Sequence, residues 1–155
     1  MFHIVLVEPE IPANTGNISR TCAITGAALH LIKPLGFSID DKHLKRAGLD
    51  YWHLLDLHIY ENLDEFLAQH GDKRLFLATT KSAKHYDEVQ FQDGDFIVFG
   101  KETAGLPQRM HDLYPDTRIK IPMLDNEAAR SLNLSNSAAI ILYEALRQVG
   151  FLDLK

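Results

Sequence analysis

Short apolar runs, each broken at once by Pro, Gly or charged residues, alternate along this chain with longer segments of helical spacing, and that rhythm limits the fold more than any other feature. His3 to Val7 reads as a buried strand. Glu8-Pro9-Glu10-Ile11-Pro12 then breaks it, before helical spacing from about Asn14 to Thr25 with Asn14 placed to cap the helix. Ala28 to Ile32 is a second strand, ended by Lys33-Pro34-Leu35-Gly36, after which Asp40 or Asp41 caps a short helix reaching about Ala47. Further strands are expected over Leu55 to Tyr60, Arg74 to Thr79, Asp95 to Phe99 and Arg118 to Ile121, with helices near Leu63 to Gln69 and after Pro107. Strands and helices in this alternation predict an α/β domain with a mainly parallel sheet and helices on both faces. At 155 residues and 46% hydrophobic, without repeat, low-complexity tract or linker, the chain reads as a single domain spanning residues 1–155.

The last predicted element, from about Leu134 to Val149, is apolar around most of its girth, through Ala138, Ala139, Ile140, Ile141, Leu142, Tyr143, Ala145, Leu146 and Val149. Such a helix must be covered on more than one side. Either the subunit buries it whole, or one side faces the sheet and the other a second copy; the second arrangement predicts a homodimer through the C-terminal helix.

Several classes are excluded. No apolar run approaches the roughly 18 residues of a spanning helix, and the N-terminus lacks a signal pattern, so a cytoplasmic protein with no membrane contact is expected. The lone cysteine, Cys22, can make no internal disulfide, which fits a reducing compartment, and beside Ala23 and Ile24 it reads as a packed thiol. Without export, Asn17-Ile18-Ser19 and Asn133-Leu134-Ser135 are not glycosylation acceptors. Phe99-Gly100-Lys101-Glu102 fails as a phosphate-binding P-loop, which needs Gly at 95 and Ser or Thr at 102, and no G-x-G-x-x-G follows the first strand. The eight histidines show no metal-ligand spacing; His53 and His58 have no ligand-type neighbour, and no metal is expected. Sixteen Lys and Arg against 21 Asp and Glu leave net charge −5, so any nucleic-acid contact must be local. The basic clusters available for it hold Lys42, Lys45 and Arg46, and then Lys81 and Lys84.

Three segments place small or polar residues where strands end. Asn14-Thr15-Gly16-Asn17-Ile18-Ser19-Arg20 opens a helix whose free N–H groups suit an anion, with Arg20 as a charged fork two turns in. Phe96 to Leu106 runs an apolar strand into a loop bracketed by Gly100 and Gly105, and open α/β sheets bind ligands at the carboxyl ends of strands. Ile119-Lys120-Ile121-Pro122-Met123 ends another strand, and Arg130 to Ser137 follows it. Ser131, Asn133, Ser135 and Asn136 there crowd hydroxyls and amides before a very apolar helix; those that do not cap it need a ligand or a tightly folded loop.

Asn14 to Arg20, FGKETAGL at 99–106 and IPM at 121–123 followed by RSLNLSNSAAI resemble the three motifs of the SPOUT methyltransferases, specifically the minimal TrmL-like tRNA 2′-O-methyltransferases that modify the wobble nucleotide. The likeness extends over the whole chain, including EPEIPANTGN near the start and RAGLDYW in the middle. The segment from Leu124 to Ala129 is longer and more acidic than the family's pattern. The resemblance implies a deep C-terminal trefoil knot, a homodimer whose RNA site uses both subunits, and S-adenosylmethionine as cofactor. It implies that Ala78, Gly100, Ile121, Met123, Ser131 and Leu132 hold the cofactor, mostly through backbone groups. Arg20, Glu102 and Asn133 are then the catalytic set, with Ser131 beside them, and tRNA, cytidine or uridine at the wobble position, is the partner.

A guanidinium stays protonated at neutral pH, so Arg20 is expected to stabilise the forming alkoxide and adjacent phosphate rather than act as a base. Glu102 is expected to anchor its loop. Two other readings compete: a knotted RNA-binding or assembly factor without catalysis, and a flavodoxin-like domain binding a small metabolite.

Overall fold

The computed structural model describes the chain except for residues 41, 43–45, 47, 48, 127, 129 and 130, and describes residues 49–51 by backbone alone. In chain order the elements are β1 (His3–Val7), α1 (Pro12–Thr25), β2 (Ala28–Ile32), a 3-10 turn (Leu49–Leu54), β3 (Leu57–Tyr60), α2 (Leu63–His70), β4 (Leu75–Ala78), β5 (Phe96–Phe99), α3 (Gln108–Leu113), β6 (Arg118–Ile119) and α4 (Leu134–Gln148). The strands form one six-stranded sheet in the order β3-β2-β1-β5-β4-β6, and every pairing in it is parallel.

Alternate residues of the inner strands feed two cores, which is why their sequences are largely apolar instead of alternating. Ile4, Leu6, Leu29, Leu31, Ile97 and Ile119 face Ile18 and Cys22 of α1 and Ala138, Ile141, Leu142, Ala145 and Leu146 of α4. Val5, Val7, Ile32, Leu75, Leu77 and Val98 face Phe66 of α2 and Met110 of α3. Helices therefore cover both faces, as the alternation predicts. Burial pushes the Cys22 thiol up to about 12, which suits a packed side chain and not a nucleophile.

The register carries one further consequence. His30 of β2 lies opposite both Val5 of β1 and His58 of β3, so histidines far apart in sequence share the face covered by α2. His3 Nδ1 lies 2.9 Å from His30 Nε2, His30 Nδ1 2.8 Å from the Tyr60 hydroxyl, and that hydroxyl 3.0 Å from His70 Nε2. His58, expected to lack a ligand-type neighbour, pairs with Asp56 at 2.8 Å. Among the described residues no group of three or more His, Cys, Asp or Glu is arranged to hold a metal ion, and no described helix is long and apolar enough to cross a membrane.

The expected elements shift at their ends. Helix α1 starts at Pro12, with Ile11 at its cap position and no side-chain cap bond from it, so Asn14 is not the cap. Pro12 starts the helix because its fixed φ suits the first turn and it has no N–H to leave unpaired. The strand expected to reach Ile121 pairs with β4 over Arg118–Ile119 alone; Lys120 instead bridges His85 in the segment after β4, its N–H donating to the Lys84 carbonyl and its carbonyl accepting from the Tyr86 N–H, both at 2.9 Å. The helix expected between Asp40 and Ala47 falls largely outside the described residues, although Lys42 and Arg46 are helical and exposed.

Candidate active site at the carboxyl ends of β4, β5 and β6

The segments following β4, β5 and β6, together with the first turns of α1 and α4, enclose a cavity of about 710 Å³. Ala78 ends β4, Gly100 follows β5, and Ile121 and Met123 follow β6; all four line the cavity with Ser131 and Leu132. The six positions assigned to the cofactor thus converge, although they come from three stretches of chain.

The loop after β5 is closed very tightly. Gly105 N–H donates to the Lys101 carbonyl at 2.9 Å. A Cβ built on Gly100 would lie 2.1 Å from the Gly105 carbonyl carbon and 2.2 Å from the Leu106 nitrogen. Backbone atoms cannot yield that distance, so only glycine fits, and the cavity wall beside it is bare peptide.

Asn133 holds the other side. Its Oδ1 accepts from the N–H of Ser135 at 2.8 Å and of Asn136 at 3.3 Å, capping α4. Its Nδ2 donates to Asn14 Oδ1 at 3.1 Å. Asn14, read from sequence as a cap, is instead a buried bridge between the first turn of α1 and the start of α4, and both residues line the cavity. Its partner is 119 positions away, so no local pattern could show the link.

Glu102 also lines the cavity, but its carboxylate is occupied. Oε2 accepts from the Glu10 N–H at 2.8 Å and Oε1 from the Ile11 N–H at 3.3 Å. Glu102 therefore supplies, from across the fold, anion contacts to the amides just ahead of α1. The loop after β5 is thereby joined to the segment ahead of α1.

Lys81 lines the cavity, and Lys84 is exposed on the same loop. Lys45 lies outside the described residues. Arg20 is exposed on α1 and is not part of the cavity lining. Six residues beyond Asn14, it projects about 240° around the helix from it. His111, which the sequence reading did not single out, sits in the wall with its ring buried and Nδ1 without a hydrogen-bond partner among the described residues. Burial, then Lys81 and Arg118, hold it below the usual histidine range, so it is neutral near pH 7 and able to donate or accept.

The SpoU rRNA Methylase family model matches residues 1–143. The chain belongs to the SpoU methylase family. Among relatives of this SpoU methylase, a tRNA (cytidine(34)-2'-O)-methyltransferase of Methylovorus glucosotrophus is 53% identical over 152 residues, covering 97% of each chain. A solved structure described as giving insight into 2′-OH methylation of C/U34 on tRNA superposes with a TM-score of 0.89 at 42% identity, covering 97% of both chains. The AviRb methyltransferase of Streptomyces viridochromogenes, solved in complex with AdoMet, superposes at 0.83 with 26% identity, over 95% of this chain and 60% of that one.

The cavity of this SpoU methylase suits a nucleoside cofactor on its own chemistry. It combines the bare peptide edge at Gly100, apolar walls from Ile119, Ile121 and Ile141, and the unpartnered ring nitrogen of His111.

Proposed function

We propose that this SpoU methylase transfers a methyl group from S-adenosylmethionine to the ribose 2′-hydroxyl of the anticodon wobble nucleotide of tRNA, a cytidine or uridine. The observation that carries this reading is the convergence of three separated motif segments, after β5, after β6 and at the start of α1, on one cavity at the carboxyl ends of the strands. When bound, S-adenosylmethionine supplies an electrophilic methyl on a sulfonium, so the protein's work is alignment and proton removal. Ala78, Gly100, Ile121, Met123, Ser131 and Leu132 would hold it through backbone edges and apolar contact. Asn133 keeps the start of α4 against α1, fixing the wall in which Ser131 and Leu132 sit. Arg20 lies outside that wall, on the α1 surface, where it can face the acceptor sugar and its phosphate and favour the alkoxide as the proton leaves to water or phosphate. Glu102 acts by holding the loop.

The same reading includes a homodimer through α4. Ile140 and Tyr143 remain 37% and 42% exposed on a helix whose other side is buried, and Ile24 of α1 is 52% exposed. A partner covering these would bring a second surface to the acceptor side. Lys42, Lys45, Arg46, Lys81 and Lys84 are proposed to contact the anticodon stem-loop. The trefoil knot is carried over with the family. We place the enzyme with its tRNA in the cytoplasm. Incubating the protein with methyl-labelled cofactor and total tRNA from a strain lacking the gene should put label on a 2′-oxygen at the wobble position. Label on a base, or none in RNA, would overturn the reading.

A further inference from the structure

The segment after β1 and the loop after β5 are joined by a reciprocal clasp. Glu102 takes the N–H groups of Glu10 and Ile11, while Glu10 Oε1 accepts from the Thr103 N–H at 3.1 Å and from Thr103 Oγ1 at 2.7 Å. Lys101 Nζ lies 3.4 Å from Glu8 Oε2 on the same two strands of chain. The Thr103 hydroxyl, then its N–H, hold the Glu10 carboxyl below the usual carboxylate range, so it is ionised at neutral pH.

Glu10 itself has a rigid backstop. Gly36 N–H donates to the Pro9 carbonyl at 2.9 Å. A Cβ on Gly36 would lie 2.7 Å from Glu10 Cα and 2.8 Å from its carbonyl oxygen. The Glu10 backbone is thereby pressed from behind while its side chain reaches forward to Thr103. Every residue of the loop from Gly100 to Leu106 lines the cavity, but the stretch from Thr103 to Gly105 is exposed on its outer side. The Gly105 N–H closes the loop on the Lys101 carbonyl, Lys101 and Glu102 hold its base to the segment after β1, and Glu10 ties Thr103 at its tip to that same segment.

We propose that Glu10 is a positioning residue for the cofactor: through Thr103 it fixes the tip of the 100–106 loop in its binding geometry. The inference rests on the cofactor reading given above. Because the clasp faces water, breaking it lets solvent replace the lost hydrogen bonds, and the folded state as a whole loses little. The loop must then be ordered at the moment of binding, and that cost falls on cofactor affinity.

Calorimetric titration of S-adenosylhomocysteine, with thermal melting of each unliganded protein, tests this. Glu10→Ala should weaken binding by about tenfold while leaving the unliganded melting temperature close to wild type. Glu10→Gln, whose amide oxygen still accepts from Thr103, should recover most of the affinity. The double variant Glu10→Ala with Thr103→Ala should be no weaker than Glu10→Ala alone. Affinity within twofold of wild type for Glu10→Ala, or a melting temperature that falls in step with affinity, would overturn the positioning role. A wild-type protein giving no heat would instead overturn the cofactor reading, and this inference with it.

Discussion

Acidification should unfold this protein through a buried histidine, and His30 is the residue to change. Its side chain is 1% exposed, stacked on His58 at 4.8 Å and flanked by His3, Phe66, His70 and Phe96. Burial first, then the neighbouring His3, His58 and His70, lower its pKa from 6.5 to about 3. An unfolded histidine keeps a pKa near 6.5. Below that pH the unfolded chain takes up a proton that folded His30 refuses. Its effect is absent above about pH 7, grows as pH falls, and levels off only near pH 3. From pH 7 to pH 5 the linkage amounts to about 2 kcal/mol, a large part of a typical ~5–15 kcal/mol total. His3, lowered to about 4, acts in the same direction, but its partial exposure makes its share smaller. Urea unfolding followed by fluorescence at pH 7 and pH 5, at fixed protein concentration, measures the loss. His30→Phe keeps the aromatic packing and leaves the Tyr60 hydroxyl its bond to His70. Between the two pH values wild type should lose about 2 kcal/mol more than this variant, other titrating groups cancelling in the comparison. Equal losses in the two proteins would refute the assignment.

Other expectations follow from the site. Arg20→Ala should abolish methyl transfer while leaving the calorimetric affinity for S-adenosylhomocysteine within about twofold, since Arg20 is outside the cavity wall; unchanged turnover would remove it from the mechanism. Asn133→Ala removes both a helix cap and the Asn14 bond, so it should cost about 1–2 kcal/mol in urea unfolding and weaken cofactor binding too; full stability with full affinity would refute its bridging role. Tyr143→Glu should turn the dimer into a monomer in sedimentation velocity at micromolar concentration, whereas a wild-type protein that sediments as a monomer would remove the α4 interface. Affinity for tRNA should fall as salt rises, and Lys81→Ala should lower the slope of log affinity against log salt by about 1; a slope unaffected by the substitution would place Lys81 away from phosphate.

The central strands were legible because they are buried on both faces. His3–Val7 and Ala28–Ile32 are apolar apart from His3 and His30, and their bounds match the reading to the residue. Edge strands were less so. The polar and apolar pattern of Arg118 to Ile121 suits a strand, but its regular pairing with β4 ends at Ile119, Lys120 bridges His85 instead, and the residues from Lys120 to Met123 border the cavity. The cavity-lining positions were legible through their motifs. What those residues bond to was not, because Asn14 with Asn133 and Glu10 with Thr103 are contacts across the fold. The His3–His30–Tyr60–His70 chain escaped for the same reason: it exists only once three parallel strands are in register.

The order of the sheet explains why the clasp and the cavity sit where they do. Strands β1 and β5 are neighbours, yet the chain leaves β1 toward α1 on one face and leaves β5 toward α3 on the other. Departures to opposite faces open a crevice at the carboxyl ends of such a pair, the usual ligand slot of an open α/β sheet. Here Glu10 from the β1 side and Glu102 and Thr103 from the β5 side cross that crevice and bond to one another. The slot is bridged, and the open volume lies beside it, over β4, β5 and β6, where Ala78, Gly100 and Ile121 line it. The bridge is thus one wall of the cavity as well as its tether to α1, the helix that carries Arg20. A change in the clasp should therefore be felt at the cofactor before it is felt in the stability of the sheet.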